Sequence, residues 1–199
     1  QSDDPLAGFC QAQGFPFYRG DPLDVLDRYY QAAKRFEAQT IVRLTADCPL
    51  IDPFEIDRTV CAFQETEVDF AANRLPPPWR RTTPIGMDTE VVTFDALQKA
   101  WREADQKHQR EHVMPYFYEE QGRFRVLLVD HDPDLGDFRL TVDTPEDLTL
   151  VCKIYDHFGN SDNFSLNAMV EALNQNPNWL TINASVAHKG YLDIDQRAI

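Results

Sequence analysis

The sequence predicts an α/β fold with a mixed, mainly parallel sheet. Three observations carry this. Strand-like and helix-like segments alternate along the chain, which is the pattern of βαβ units. Residues 40–46 form a short, largely apolar run that leads into an acidic turn, Asp47-Cys48-Pro49-Leu50-Ile51-Asp52-Pro53, and then a helix. Such a run fits a strand buried on both faces. A second unit of the same design follows: Phe138-Arg139-Leu140-Thr141-Val142 leads into Asp143, and Thr144-Pro145-Glu146-Asp147-Leu148 opens a helix. In open α/β sheets ligands bind beyond the carboxyl ends of the strands, where both Asp47 and Asp143 would lie.

The elements follow in order. A helix is expected over residues 5–13 and a short strand over 15–18. Asp21-Pro22 reads as an N-cap with proline at the first helical position. Leu26, Tyr29, Tyr30, Ala33 and Phe36 then recur at helical spacing, which predicts an amphipathic helix over 22–36. After the strand at 40–46, Asp52-Pro53 repeats the cap signal for a helix to about Gln64. Val68–Ala71 is a strand. Residues 74–86 hold four prolines and predict a long loop, which in a compact domain is functional or mobile. Residues 87–93 form an alternating strand with Asp88 and Glu90 on one face. Helices are expected at 94–104 and 109–120, and strands at 124–129 and 138–142. Thr144-Pro145 caps a helix that Gly159 stops. One further helix, about 165–175, precedes an irregular tail. The organisation is a domain over 1–158 with residues 159–199 as its C-terminal helix and tail.

Composition narrows the function. The 199 residues carry a net charge of −14, which argues against nucleic-acid binding because that needs a basic face. No apolar run approaches the roughly 20 residues of a membrane span, and no signal peptide is visible. The four cysteines, Cys10, Cys48, Cys61 and Cys152, are widely spaced and suit reduced thiols in the cytoplasm. The phosphate-cradling patterns GxGxxG and GxxxxGK[ST] are absent, and so is GxSxG.

Two carboxylates at neighbouring strand ends match the needs of Mg²⁺, which takes one or two carboxylates plus substrate phosphates. Taken alone, Asp47 and Asp143 read more simply as turn or helix caps than as metal ligands. Asp132 and Asp134 form a DxD-like pair that reads more simply as a solvated turn. His112, in Arg110-Glu111-His112, reads as part of a solvated helical turn. The charges of strand 87–93 need a polar cover, either a ligand or an internal ion pair such as Arg110 with Glu90.

Several segments together resemble the spore-coat polysaccharide biosynthesis protein F group, relatives of the cytidylyltransferases that make CMP-activated acidic sugars. These are Tyr18-Arg19-Gly20 with Asp24-Val25-Leu26-Asp27-Arg28-Tyr29; Arg43 to Pro53; Gly86-Met87-Asp88-Thr89-Glu90-Val91; Arg110 to Tyr116; and Arg139 to Leu148. The resemblance covers residues 14–158. It implies a Rossmann-like nucleotidyltransferase sandwich, CTP as donor, Mg²⁺ as cofactor, pyrophosphate as leaving group, and a role in polysaccharide or spore-coat synthesis. It puts the catalytic metal on Asp47 and Asp143, and the nucleotide on Gly20, Asp24 and Arg28. Asn73, Arg74, Asp88, Glu90, Arg110, Glu111 and His112 would face a small sugar or sugar-phosphate acceptor. No nucleic-acid or membrane partner is implied, and a homodimer is left open.

The family pattern opens with a strand and a loop rich in Arg, Ser, Pro, Gly and Lys that wraps the triphosphate, and nothing here matches it. Either that stretch lies upstream of Gln1 or the protein is a variant without it. Without the cradle the chain is expected to be inactive alone. The leading reading is a nucleotidyltransferase. The rivals are a sugar-nucleotide-binding or interaction module of the same fold, and a glycosyltransferase using Asp132 and Asp134.

Overall fold

A computed structural model describes residues 3–187. Four strands form one sheet: β1 (Thr40–Arg43), β2 (Phe70–Ala72), β3 (Glu90–Thr93) and β4 (Val126–Leu128), in spatial order β1-β3-β2-β4. The sheet is mixed, as the sequence predicts. β3 lies antiparallel to both β1 and β2, whereas β2 and β4 are parallel. The antiparallel insertion of β3 makes the sheet less parallel than the alternation of segments suggests.

The helices are α1 (Asp4–Gln13), α2 (Val25–Arg35), α3 (Pro53–Thr66), α4 (Phe94–Glu103), α5 (Lys107–His112), α6 (Pro115–Tyr118), α7 (Pro145–His157) and α8 (Leu166–Gln175). A single 3-10 turn, Pro177–Trp179, follows. The pleat sorts strand side chains between two layers. Phe70 and Ala72 of β2 and Val92 of β3 join Leu26, Leu97 and Phe117 in one core under α2, α4 and α6. Ala71 and Val91 point the other way, against Phe63 of α3. A further core lies around α7 and α8, where Met87, Leu140, Leu150, Ile154, Leu166 and Met169 pack together.

Local chemistry sets the helix starts. Asp52 caps α3 by accepting from Phe54 N at 2.8 Å, with Pro53 at the first position. Its other oxygen accepts from Leu166 N at 2.6 Å, so one buried carboxylate ties α3 to the start of α8. Thr144 and Asp147 form a reciprocal capping box on α7.

Some expected elements differ. Residues 15–18 form no strand: Phe15, Pro16 and Phe17 are exposed, and Pro16 has no N–H to donate to a ladder. The expected helix 109–120 is broken at Val113, whose φ of 70° leaves the helical region, just before Pro115. Asp21 closes a turn by accepting from Leu23 N, and α2 is capped instead by Asp24, which accepts from Asp27 N at 3.0 Å. The segment 138–142 makes a single parallel bridge, Ile85 with Arg139, and no extended ladder. Gly86, between that bridge and Met87, has a φ of 103°, and a Cβ there would sit 2.6 Å from the backbone carbon of Leu140.

Candidate active site

The loop after β1 and the segment 138–143 meet where the sequence places the ligand. The carbonyl of Asp47 accepts from Val142 N at 2.8 Å and from the Thr141 hydroxyl at 3.0 Å. The backbones that carry Asp47 and Asp143 are therefore neighbours. Both carboxylates reach solvent: Asp47 is exposed, and the Asp143 side chain is 39% exposed. A pair of open carboxylates could grip a hard divalent cation and leave its other positions to water and phosphate oxygens. It is not a closed cage, because among the described residues no group of three His, Cys, Asp or Glu could hold a metal ion. Beside Asp47, burial pushes the Cys48 thiol up to about 11, against the opposing hydrogen bond with Thr45.

Asp143 does not stand alone. Arg139 Nη2 donates to its Oδ2 at 2.7 Å. The same guanidinium is seated on Asp147 through Nε and Nη2, both at 2.8 Å. Asp147 is fully buried. Burial opposes its charge, but Arg139, Asn183 and the backbone N–H of Asp143 outweigh it and hold the carboxyl well below the usual carboxylate range.

Gly20 and Arg28 line a cavity of about 630 Å³ together with Cys10, Phe17, Tyr18 and Arg19. A Cβ on Gly20 would lie 2.8 Å from Arg28 Cγ, so only glycine lets the turn close over that side chain. The Nε of Arg28 is buried there with no hydrogen-bond partner. Asp24 is committed to the fold. Besides capping α2, it takes a bidentate ion pair from Arg110, whose Nη2 stands 2.6 Å from Oδ2. Arg110 Nη1 also donates to the Trp101 carbonyl. One expected nucleotide residue and one expected acceptor residue thus clamp α2 to α5.

The remaining acceptor candidates divide. Asp88 is held bidentately by Arg81 at 2.6 and 3.0 Å, and Arg74 Nε stands 3.9 Å away. The buried Asn73 amide spans Met87 O and Thr89 N and completes the β2–β3 pairing, so its polar atoms are used internally. Glu111 and His112 are half-buried in α5. Glu90 is ion-paired with Arg43, its direct partner in the β1–β3 ladder. The suggested Arg110–Glu90 pair does not form. Each charge instead takes the opposite charge nearest to it in the fold. Arg43 is desolvated, but Glu90 and Tyr29 hold it firmly charged. Sequence reading missed Arg43, Arg81 and Arg139 as organisers. For Arg43 and Arg139 the available signal was a charge inside an apolar strand-like run, which demands a partner; Arg81, in the loop 74–86, carried no such signal.

Comparison with known proteins assigns the class. A family model described as cytidylyltransferase matches residues 2–176. The chain is a nucleotidyltransferase, and it belongs to the cytidylyltransferase family. It is 34% identical over 198 residues to an uncharacterized protein of Methanocaldococcus jannaschii, MJ1063, across 98% of this chain and 78% of that one. It is 29% identical over 184 residues to the spore coat polysaccharide biosynthesis protein SpsF of Bacillus subtilis, across 91% of this chain and 74% of that one. The motif resemblance to that group is borne out. A solved cytidylyltransferase from Leptospira borgpetersenii superposes with a TM-score of 0.84 at 32% identity, covering 94% of this chain and 76% of that one. Among the described residues, no helix is long and apolar enough to cross a membrane.

Proposed function

We propose that the protein transfers a cytidylyl group from CTP to a sugar or sugar-phosphate acceptor, with Mg²⁺ held by Asp47 and Asp143, in polysaccharide or glycan synthesis. The observation that supports this best is the hydrogen-bonded junction between Asp47 and the 141–142 segment, which sets two open carboxylates on adjoining backbone. An acceptor oxygen attacks the α-phosphorus in line, the bond from that phosphorus to the β-bridging oxygen breaks, and pyrophosphate leaves. Such transfer depends on positioning and charge neutralisation. Bound Mg²⁺ supplies polarisation of the α-phosphate and neutralises the departing charge. Gly20 lets Arg28 pack against the turn, and Arg28 brings positive charge to the cavity that both line, where the nucleotide would sit. Asp88, fixed by Arg81 and Arg74, offers a rigid acceptor for sugar hydroxyls. Asp24 and Arg110 serve by keeping α2 and α5 in register.

The test is pyrophosphate release by the full-length protein with CTP, UTP, ATP or GTP, Mg²⁺, and a panel of sugars and sugar phosphates. Release that requires CTP and an acceptor together supports the proposal. Saturable CTP binding with no release from any acceptor would instead make the protein a binding module.

A further inference from the structure

The network behind Asp143 reaches further than a capping box requires. Asp147 Oδ2 collects the backbone N–H groups of Asp143 and Thr144, each at 3.1 Å, and Arg139 Nη2 at 2.8 Å. Its Oδ1 takes Arg139 Nε at 2.8 Å and Asn183 Nδ2 at 2.9 Å. Asn183 Nδ2 also lies 3.2 Å from the Arg139 carbonyl. Asn183 is buried and lies beyond the last helical turn, 36 residues from Asp147. Asp143 is consequently held twice from one buried carboxylate. Its N–H is held directly, and its Oδ2 is held through an arginine that Asp147 itself seats.

We propose that Arg139, locked by Asp147 and Asn183, is the positioning residue that fixes the Asp143 carboxylate for metal and nucleotide. The inference rests on the proposed role of Asp143 as a metal ligand. The geometry gives the reason. Capping α7 requires only Thr144 and Asp147. A guanidinium whose side chain is 9% exposed is not needed for that cap, yet it spends one nitrogen on the half-exposed Asp143. Because Asp147 fixes Arg139 at two points, Arg139 cannot follow Asp143 into solvent. With Oδ2 occupied, Asp143 has its Oδ1 left for a ligand. Partners that orient a metal-ligating carboxylate act in this way, and their loss weakens metal binding or activity without touching the metal.

Arg139→Lys separates positioning from charge. The lysine ammonium ends one bond short of the outer guanidinium nitrogen, so it can neutralise the buried Asp147 but loses the reach to Asp143. A guanidinium acting only as nearby positive charge would be replaced without loss. Mn²⁺ affinity is read by electron paramagnetic resonance on the full-length protein with CTP, beside kcat. Arg139→Lys is expected to weaken Mn²⁺ by about 10-fold to 100-fold and to lower kcat more than it changes the KM for CTP. In an Asp143→Asn background the same change should add nothing, because its route to the metal is already gone. Asn183→Ala, a milder loosening of Asp147, should shift Mn²⁺ in the same direction by less, and it decides the matter if the lysine variant does not fold. Wild-type Mn²⁺ affinity in the folded variants, or an equal loss with and without Asp143, overturns the positioning role. Wild-type turnover in Asp143→Asn alone would instead refute the ligand role on which the inference rests.

Discussion

Glu90→Gln separates a structural from a substrate-binding role for a residue whose sequence context suits both. In the fold, Glu90 pairs with Arg43 across the β1–β3 ladder, and their side chains are 9% and 20% exposed. Water screens such a pair little. Removing one charge leaves the other buried without compensation, which costs about 3–5 kcal/mol. Glutamine keeps one oxygen for the guanidinium, and Arg43 retains some contact with water, so the lower end applies, about 3 kcal/mol. A chain of 199 residues loses roughly 2–4 °C of Tm per kcal/mol, which gives a drop of about 6–12 °C. Urea unfolding followed by tryptophan fluorescence measures the loss, and steady-state kinetics below the transition measures the acceptor KM. The expected result is a large loss of stability with an unchanged acceptor KM. Combining Arg43→Met with Glu90→Leu should recover most of the loss, because no charge is then stranded. Stability within about 0.5 kcal/mol of wild type, together with a tenfold rise in acceptor KM, would refute the assignment and return Glu90 to the acceptor pocket.

Asp52→Ala removes the α3 cap and also orphans the buried Leu166 N–H; at about 1 kcal/mol for the cap and 1–3 for the stranded donor, the urea midpoint should report a loss of about 2–4 kcal/mol. The buried Cys48 should resist a thiol reagent at pH 8 in the native protein while the exposed Cys61 and Cys152 react, as mass spectrometry of the labelled peptides will show. Folding raises the Cys48 thiol to about 11, so its contribution to stability is present below the unfolded value of about 8.5 and is lost as pH climbs through 11. A Cys48→Ala variant should therefore show a shallower alkaline loss of stability than wild type between those values.

Features encoded by local chemistry were legible in the sequence. Asp52-Pro53 and Thr144-Pro145 start α3 and α7 because a cap needs only residues within one turn. The run at 40–46 is strand-forming, but β1 (Thr40–Arg43) lies at the sheet edge, antiparallel to β3, with Val42 and Leu44 exposed, so it is not the strand buried on both faces that its apolar composition predicts. What escaped was non-local. Arg43 finds Glu90 47 residues away, and Arg110 finds Asp24 86 residues away, so neither pairing has a spacing to read. The family resemblance sets Asn73 facing the acceptor, yet its amide completes the β2–β3 pairing. The break at Val113 was foreshadowed by Pro115, but helical periodicity over 109–120 obscured it. Residues 138–142 carry strand composition, yet they spend their hydrogen bonds on Ile85 and Asp47, a choice set by tertiary packing.

Asp47 and Asp143 are proposed to carry a metal-dependent cytidylyl transfer together. Acceptor-dependent pyrophosphate release from CTP by the full-length Asp47→Asn and Asp143→Asn proteins, each with its melting temperature, tests it most directly. Asp47 is exposed, and asparagine at 143 keeps an oxygen for Arg139, whose charge Asp147 still balances, so each substitution should cost at most about 1 kcal/mol and leave Tm within about 4 °C of wild type. Turnover should fall to background in both. Retained turnover in either folded variant would show that the two carboxylates do not hold the metal together.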